Sequence, residues 1–115
     1  MEIKLTSDSD ALICLLYKSY LESRKRGNTR EKSKLFGSVT DIKTNFVPNW
    51  LEDDIFDCCI ELRQADLISY IVADNSAFHI NLTNSGIIYM EERFENKVNS
   101  ILEYIGKIKS LISPL

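Results

Sequence analysis

The sequence has little of what catalytic and metal sites are usually built from. Its one histidine, His79, has no carboxylate or nucleophile near it in the chain, and general-base catalysis needs such an oriented partner. Cys14, Cys58 and Cys59 lack the CxxC spacing of zinc and redox sites, and we expect them to be buried free thiols on apolar helix faces. No phosphate-binding glycine loop, HExxH motif or nucleophile elbow is present. We therefore predict a protein that is not an enzyme and that holds no cofactor and no metal.

Long apolar runs are also lacking. The longest purely apolar stretch, residues 12–17, has about six residues, whereas a membrane-spanning helix needs roughly 20. Residues 1–10 are too polar for a signal peptide. With only four glycines and two prolines, the chain has no low-complexity tract. These absences predict a cytoplasmic protein that does not insert into a membrane.

The composition predicts one domain with one acidic and one basic segment. The chain has 115 residues, 44% of them hydrophobic, which is enough for a core without metals or disulfides. Its net charge of −3 hides an acidic segment at 50–66 and a basic one at 24–34. Clustered cations attract phosphates even when the net charge is negative, so the basic segment is a candidate nucleic-acid contact. Its cations are Arg24, Lys25, Arg26, Arg30, Lys32 and Lys34.

Capping signals and hydrophobic periodicity predict a mostly helical chain with one hairpin. Ser7 or Asp8 can cap the first helix, and Gly27 follows its end. Ser38 with Asp41 resembles a capping box. Asn49 is the expected cap of a central helix, 49–65, and Thr83 is the expected cap of the last helix. The other predicted helices run over 8–25, 30–36, 39–46 and 84–112, and the predicted strands over 67–72 and 78–82, around Asp74-Asn75.

The central helix has one apolar face and one acidic face. Helical spacing places its core residues on one side: Leu51, Ile55, Cys58, Cys59 and Leu62. Four carboxylates on the other side are candidate contacts for a basic protein partner: Asp53, Asp54, Asp57 and Glu61. Three of these recur every fourth residue but are spread over about 11 Å, too far apart to bind one metal ion without further ligands. Phe56 and Ile60 lie off the core stripe, where they either pack under the hairpin or the first helix, or, if exposed, mark a binding patch.

The last predicted helix, 84–112, is about 43 Å long, whereas a domain of this size is roughly 35 Å across. An apolar seam occupies its later half: Val98, Ile101, Leu102, Ile105, Ile108 and Ile112. We therefore predict a homodimer in which this seam and the first helix form the interface. In the competing arrangement the tail folds back onto a second apolar side of its own first helix, which gives a monomer.

Two stretches of the chain carry a family resemblance. The first is Leu62-Arg63-Gln64-Ala65-Asp66-Leu67-Ile68, and after a hairpin the second runs from Leu82 to Glu91 with the sequence LTNSGIIYME. Together they resemble the ending of winged-helix proteins of the MarR and PadR type. Through residues 87–94 the chain is most similar to a group of small uncharacterised bacterial and phage winged-helix proteins.

The resemblance covers about residues 10–95 and implies an α+β, mostly helical winged helix-turn-helix fold. It implies a two-stranded wing and a long C-terminal helix, with residues 1–83 forming the winged-helix domain and 84–115 a dimerisation helix of the same structural domain. Such transcription regulators bind DNA as dimers, through the helix matching 49–65 and the wing matching 70–82.

This sequence departs from those regulators at both DNA-contacting elements. Carboxylates occupy the first two turns of the central helix, and the wing loop, 73–77, has no lysine or arginine. Carboxylates beside phosphates add repulsion instead of releasing counterions. Our leading hypothesis is a non-enzymatic, dimeric winged-helix regulatory module that acts through protein–protein contacts. The alternative is a winged-helix DNA-binding transcription regulator that contacts phosphates through the basic segment, 24–34.

Overall fold

Helices surround a small antiparallel sheet in the computed structural model, which describes residues 2–115. The helices are α1 (Ser7–Lys25), α2 (Arg30–Ser33), α3 (Val39–Asn45), α4 (Glu52–Gln64), α5 (Asn84–Phe94) and α6 (Val98–Ile108), followed by a 3₁₀ turn (Lys109–Leu111). The strands are β1 (Leu35–Gly37), β2 (Ile68–Ala73) and β3 (Ser76–Leu82), in the order β1-β3-β2. The predicted α+β, mostly helical class is confirmed.

The first helix, α1, is buried on more than one side, as its apolar sequence predicts. Its middle, from Ala11 to Cys14, is fully buried, as are Leu16 and Tyr17. It packs against α4 and also against α6. The predicted caps Ser7 and Asp8 are wrong, since the helix begins after Thr6, whose side chain makes no capping hydrogen bond.

The predicted short helix at 30–36 is wrong in its second half. The helix ends at Ser33, and Leu35–Gly37 instead form β1, which pairs with β3 so that Leu35 lies opposite Asn81. Phe36 is buried between two more exposed neighbours. The sheet therefore has three strands instead of the two predicted for the wing. A strand this short shows no alternation, and the helical spacing across 35–46 concealed it.

The helical pair α3–α4 is confirmed, but its second helix starts later than predicted. Ser38 and Asp41 form the expected capping box at the start of α3. The central helix begins at Glu52, not after Asn49, and Leu51 takes the N-cap position without a side-chain cap. Leu51 is 68% exposed, so its predicted place in the core is wrong. The other four core positions of this helix are buried as predicted.

The hairpin and its connections follow from residues that accept a positive φ. Asp66 has φ +62° after α4, and Leu67 N–H donates to the carbonyl of Leu62 at 3.0 Å, which closes the helix end. Asp74 and Asn75, with φ +50° and +56°, form the two-residue turn between β2 and β3. Such a turn matches the twist of the strands it joins. The predicted hairpin is confirmed.

The start of α5 is fixed tightly against the hairpin. The side chain of Thr83 accepts from Gly86 N–H at 2.9 Å, so the predicted cap is confirmed. Thr83 N–H donates to the carbonyl of Leu67 at 3.1 Å. A Cβ on Gly86 would lie only 2.1 Å from that same carbonyl oxygen. The glycine is therefore required by close backbone approach, which explains its place after the threonine.

The single long C-terminal helix predicted for 84–112 is wrong. The chain turns between Phe94 and Lys97, where Lys97 N–H donates to the Phe94 carbonyl at 3.1 Å. Glu95 adopts φ +55° and ψ −135°, a conformation that glycine usually supplies at the first central position of such a turn. The Tyr17 hydroxyl donates to the carbonyl of Glu95. Burial, and then the charge of Glu91, raise the pKa of Tyr17 to about 12, so the hydroxyl keeps its proton.

After this turn α6 folds back onto α1. Ile101 and Ile105 are buried in the core of the same chain. The molecule measures 35 × 34 × 31 Å along its principal axes, so the overhang on which the dimer prediction depended is absent. This packing matches the competing arrangement that we weighed from the sequence.

An ion pair that the sequence does not indicate joins α1, α5 and α6. The guanidinium of Arg93 donates to the two carboxylate oxygens of Asp10 at 2.7 and 3.4 Å, and the Tyr104 hydroxyl donates to the same carboxylate. Burial and the hydrogen bond to Asp10 raise the pKa of Tyr104. Burial acts to lower the pKa of Arg93, but the hydrogen bond and charge of Asp10 outweigh it and raise that pKa. Arg93 therefore keeps its positive charge and Tyr104 keeps its hydroxyl proton, and both bind Asp10 of α1 next to α6.

The segment after the 3₁₀ turn lies across the starts of α1 and α4. Ser113 donates to Asp8 through its N–H at 2.8 Å and its hydroxyl at 2.9 Å. The indole of Trp50 donates to the Ser113 carbonyl at 3.2 Å, and the Asn49 amide donates to the Leu115 carbonyl at 2.7 Å. Asn49 therefore binds this segment instead of capping α4. Within residues 2–115, no helix has the length and apolar character needed to cross a membrane.

Candidate binding surface

The carboxylates of α4 do not all lie on one face. At 100° per residue, Asp53 and Asp57 point away from the core, whereas Asp54 and Glu61 turn toward α1. Asp54, Asp57 and Glu61 all line a groove of about 640 Å³ between the start of α1, α4 and Ser113, and Asp53 does not. The three aspartates are exposed. Those in the first turn also favour the helix start, because negative charge there complements the helix dipole.

Glu61 is bound within the chain at the start of α1. Its carboxylate accepts from Thr6 N–H and from the Thr6 hydroxyl, both at 2.7 Å, and from the Ser9 hydroxyl at 2.9 Å. The side chain of Thr6 does not cap α1. Glu61 instead accepts hydrogen bonds from donor groups at the start of this helix. Of the four carboxylates proposed as partner contacts, Glu61 therefore has a structural function in the fold. Sequence spacing gave no sign of this contact across 55 residues.

The centre of the outer face of α4 is apolar. Phe56 packs edge-on against Tyr70 of β2, with 6.3 Å between the ring centres, so it lies under the hairpin as one of our two alternatives predicts. The guanidinium of Arg63 lies over the Tyr70 ring, 4.6 Å from its centre. Ile60, between them along the helix, remains 36% exposed.

Strand β2 extends this apolar patch beyond α4. Val72 has the same orientation in β2 as Tyr70, two residues earlier, and is 55% exposed. Neither strand of the hairpin nor its turn contains a lysine or arginine. We call this set the α4–wing surface: Asp53, Phe56, Asp57, Ile60 and Arg63 of α4 with Tyr70 and Val72 of β2.

The single histidine lies in an irregular part of β3. His79 is exposed and has φ +54°, at a bulge opposite Tyr70. The thiols are buried: burial raises the pKa of Cys14 and Cys59 to about 12. Burial likewise raises that of Cys58 to about 11. Among residues 2–115, no three His, Cys, Asp or Glu side chains are grouped so that they could hold a metal ion.

The basic segment lies at the base of the hairpin, away from its turn. The carbonyl of Lys34 accepts from Leu82 N–H at 3.1 Å, and β3 extends from Leu82 to the turn over roughly 20 Å. Arg30 donates to the Asn84 side chain at 3.0 Å, and Lys34 lies 3.5 Å from Glu31. The cations that extend into solvent are Arg24, Lys25, Arg26, Arg30 and Lys32.

The residues of the predicted dimer seam are divided by the fold. Ile101 and Ile105 are fully or almost fully buried against α1. Val98, Ile108 and Ile112 are half-buried, and Leu102 is exposed on the outer side of α6. The most buried residues of the seam, Ile101 and Ile105, therefore belong to the hydrophobic core of their own chain.

Comparison of the chain with protein-family models, with curated proteins and with solved structures gave no match.

Proposed function

We propose that this chain is a non-enzymatic winged-helix module that acts through protein–protein contacts and docks its partner on the α4–wing surface. The order α1, β1, α3, α4, β2, β3, with β3 between the other two strands, agrees with a winged helix-turn-helix. In helix-turn-helix proteins the second helix of the pair is the usual contact element. Here that helix is α4.

The chemistry of the α4–wing surface carries the proposal. Its centre is apolar, at Phe56, Ile60 and Val72. Its outer edge carries Asp53 and Asp57, which form no ion pair with any other of residues 2–115. Protein interfaces combine an apolar centre with a polar rim. A DNA groove offers phosphates, which repel these carboxylates. The surface therefore suits a protein partner that supplies an apolar side chain flanked by lysine or arginine.

A second candidate function is phosphate binding through the basic segment, as in a transcription regulator that does not use α4. Five of its cations extend into solvent, which favours this reading. Because the segment lies roughly 20 Å from the wing tip, such contacts would position a nucleic acid without reading its bases. Charge reversal at Arg24, Lys25 and Arg26 should abolish this binding, whereas changes on α4 should not.

The homodimer remains a proposal with a smaller candidate interface. The exposed apolar residue of α6 is Leu102, whereas Ile108 at the end of this helix and Ile112 after the 3₁₀ turn are half-buried. Light scattering separates a dimer from the 13.2 kDa monomer. If α6 forms the interface, Leu102→Glu should give a folded monomer. A dimer that survives this change does not use that side of α6.

A peptide selection tests the leading function. A library of random peptides of about twelve residues, displayed on phage, is panned on wild-type protein and on a variant with Asp53→Asn and Asp57→Asn. We expect enriched peptides that combine basic and apolar residues and bind the variant about tenfold more weakly, since several exposed ion pairs are lost. Ile60→Ala should weaken them about fivefold.

Glu103→Gln is the matched control, because it removes an exposed charge from α6, far along the chain from this surface. It should leave peptide binding unchanged. Peptides that bind wild type, the α4 variants and the control equally would overturn the assignment of this surface.

A further inference from the structure

One long side of the sheet is unpaired. The order β1-β3-β2 leaves β2 with a partner on one side only. Residues that flank a two-residue turn exchange both hydrogen bonds, so Ala73, and by alternation Ile71, face β3. Tyr70 and Val72 then direct their N–H and C=O groups away from β3. Within residues 2–115, no backbone hydrogen bond joins either of them to another segment.

The free side of β2 lacks the features that usually protect an edge strand. Its sequence, ISYIVA, has no charged residue and no proline. The irregularity of the hairpin is a bulge on β3, not on the free strand. Ser69, Ile71, Val72 and Ala73 are exposed, Ile71 by 58%. Native proteins normally cover such an edge or interrupt it with charge, proline or a bulge.

We propose that the free edge of β2 receives an extended segment of a partner protein by strand addition, and that this segment carries a lysine or arginine at each end. The proposal rests on the proposed protein-binding function and specifies how the partner is held. Strand addition supplies affinity through the main chain, and side-chain pockets supply selectivity. Here the free groups of Tyr70 and Val72 supply the main-chain bonds.

Charge at the two ends of the strand identifies the partner segment as basic. Asp66 lies just before β2 and Asp74 just after it, and both are exposed. Neither forms an ion pair with another of the described residues. A strand added along β2 therefore meets a carboxylate at each end, which lysine or arginine would neutralise.

The same charges disfavour a second copy of this chain as the occupant. If β2 paired antiparallel with itself about Tyr70, Asp66 of one copy would lie opposite Asp74 of the other at both ends. Like charges directly opposite each other destabilise a strand pair. A basic partner segment has the opposite effect.

The neighbouring α4–wing surface offers a place for one apolar side chain of the added strand. The side chain of Tyr70 faces α4, as its contact with Phe56 shows. Side chains of the added strand on that face come to lie beside Tyr70 and Val72, and Val72 is apolar and 55% exposed. We therefore expect alternating β-branched residues between the two basic ends.

Hydrogen exchange on the full chain tests the proposal directly. The probe is the peptide acetyl-Lys-Thr-Val-Thr-Val-Thr-Val-Thr-Lys-amide, whose lysines are as far apart in sequence as Asp66 and Asp74. Its control has glutamate in place of both lysines. In the free protein we expect the amides of Tyr70 and Val72 to exchange at least about tenfold faster than that of Ile71, which bonds to β3. Saturating lysine peptide should slow both amides at least about tenfold, and the glutamate peptide should not.

Two variants separate the backbone from the charges. Val72→Pro removes an N–H that β3 does not use, and proline is tolerated at such an edge position; it should abolish the protection of Tyr70, whereas Val72→Thr should keep it. The double change Asp66→Asn with Asp74→Asn should weaken the peptide roughly fivefold to tenfold, since exposed ion pairs are individually weak. The exchange data on wild type decide the question even if the proline variant fails to fold.

The outcomes distinguish this proposal from the function on which it rests. If the peptide shifts amides of α4 without protecting Tyr70 and Val72, strand addition is refuted and the protein-binding function stands. If these two amides become protected in the free protein as its concentration rises, a second copy occupies the edge, which also refutes the proposal. If neither this peptide nor any selected peptide perturbs α4 or β2, both are refuted.

Discussion

Replacing Glu95 by glycine should make the protein more stable, although the change removes a side chain. Glu95 has φ +55° and ψ −135°, and a non-glycine residue held in a sparsely populated region of this kind costs about 1 to 3 kcal/mol. Glycine lifts that cost but favours the unfolded chain by about 0.4 to 1 kcal/mol. The 3.4 Å ion pair to Lys97 is exposed and contributes little. We therefore expect a net gain of about 1 kcal/mol, or roughly 4 °C in Tm.

The sign of this change distinguishes two folds of the tail. In one continuous helix from 84 to 112, Glu95 would be an interior position, and glycine there would lower stability by roughly 0.5 to 1 kcal/mol. Glu103→Gly is the matched control, because this exposed residue is inside a helix in both arrangements. Urea unfolding of both variants gives the two free energies. If Glu95→Gly destabilises the protein as much as Glu103→Gly does, Glu95 lies inside a helix and the chain does not turn between α5 and α6.

Four further predictions concern close contacts, open space and burial within the fold. Gly86→Ala should lower the unfolding free energy by about 2 to 3 kcal/mol, because its Cβ would lie 2.1 Å from the Leu67 carbonyl oxygen. Gly106→Ala, with open space around its Cβ, should raise it by about 1 kcal/mol in the same urea titration. Glu61→Ala should lower Tm by removing the bonds to the start of α1, and exposed Asp57→Ala should not; equal effects would contradict the structural function of Glu61. The three thiols should resist labelling by a disulfide reagent at pH 8 and react fully in denaturant, since burial raises their pKa from 9 to between about 11 and 12. Rapid labelling of native protein at pH 8 would contradict the burial of the thiols. Because burial favours the neutral thiols, their contribution to stability is complete below pH 9 and is lost as pH rises through 11 to 12.

The parts of the fold predicted correctly from the sequence are those set by local chemistry. Asp74-Asn75 between two alternating segments predicts a two-residue turn because aspartate and asparagine tolerate positive φ. Thr83 three residues before Gly86, and Ser38 before Asp41, satisfy the free N–H groups of a helix start. These signals need only a few neighbouring residues, so one sequence suffices to show them.

The errors arise where distant contacts override local pattern. Nothing between Phe94 and Val98 is glycine or proline, and the apolar spacing continues across the break, so the sequence predicts one helix. The turn depends on packing of α6 against α1 and on the bond between Arg93 and Asp10, 83 residues apart. β1 was missed for the same reason, because three residues form a strand only when β3 is already beside them.

The candidate site was predicted in part. The acidity of α4 was evident from the sequence, but which carboxylates share a face depends on where the core lies. Glu61 belongs to the side that meets α1, and its bonds to Thr6 could not be foreseen from helical spacing. The apolar centre of the surface needs β2 as well as α4, since Phe56 of α4 packs against Tyr70 of β2.

The most direct test of the account is whether α4 meets duplex DNA. Full-length ¹⁵N-labelled protein is titrated with a duplex of about 20 base pairs at about 50 mM salt, where electrostatic binding is strongest. We predict that amides of α4 do not shift, and that any shifts occur in the basic segment, 24–34. Sub-micromolar binding that shifts amides from Asp53 to Ile60, and survives charge reversal at Arg24, Lys25 and Arg26, would contradict the account.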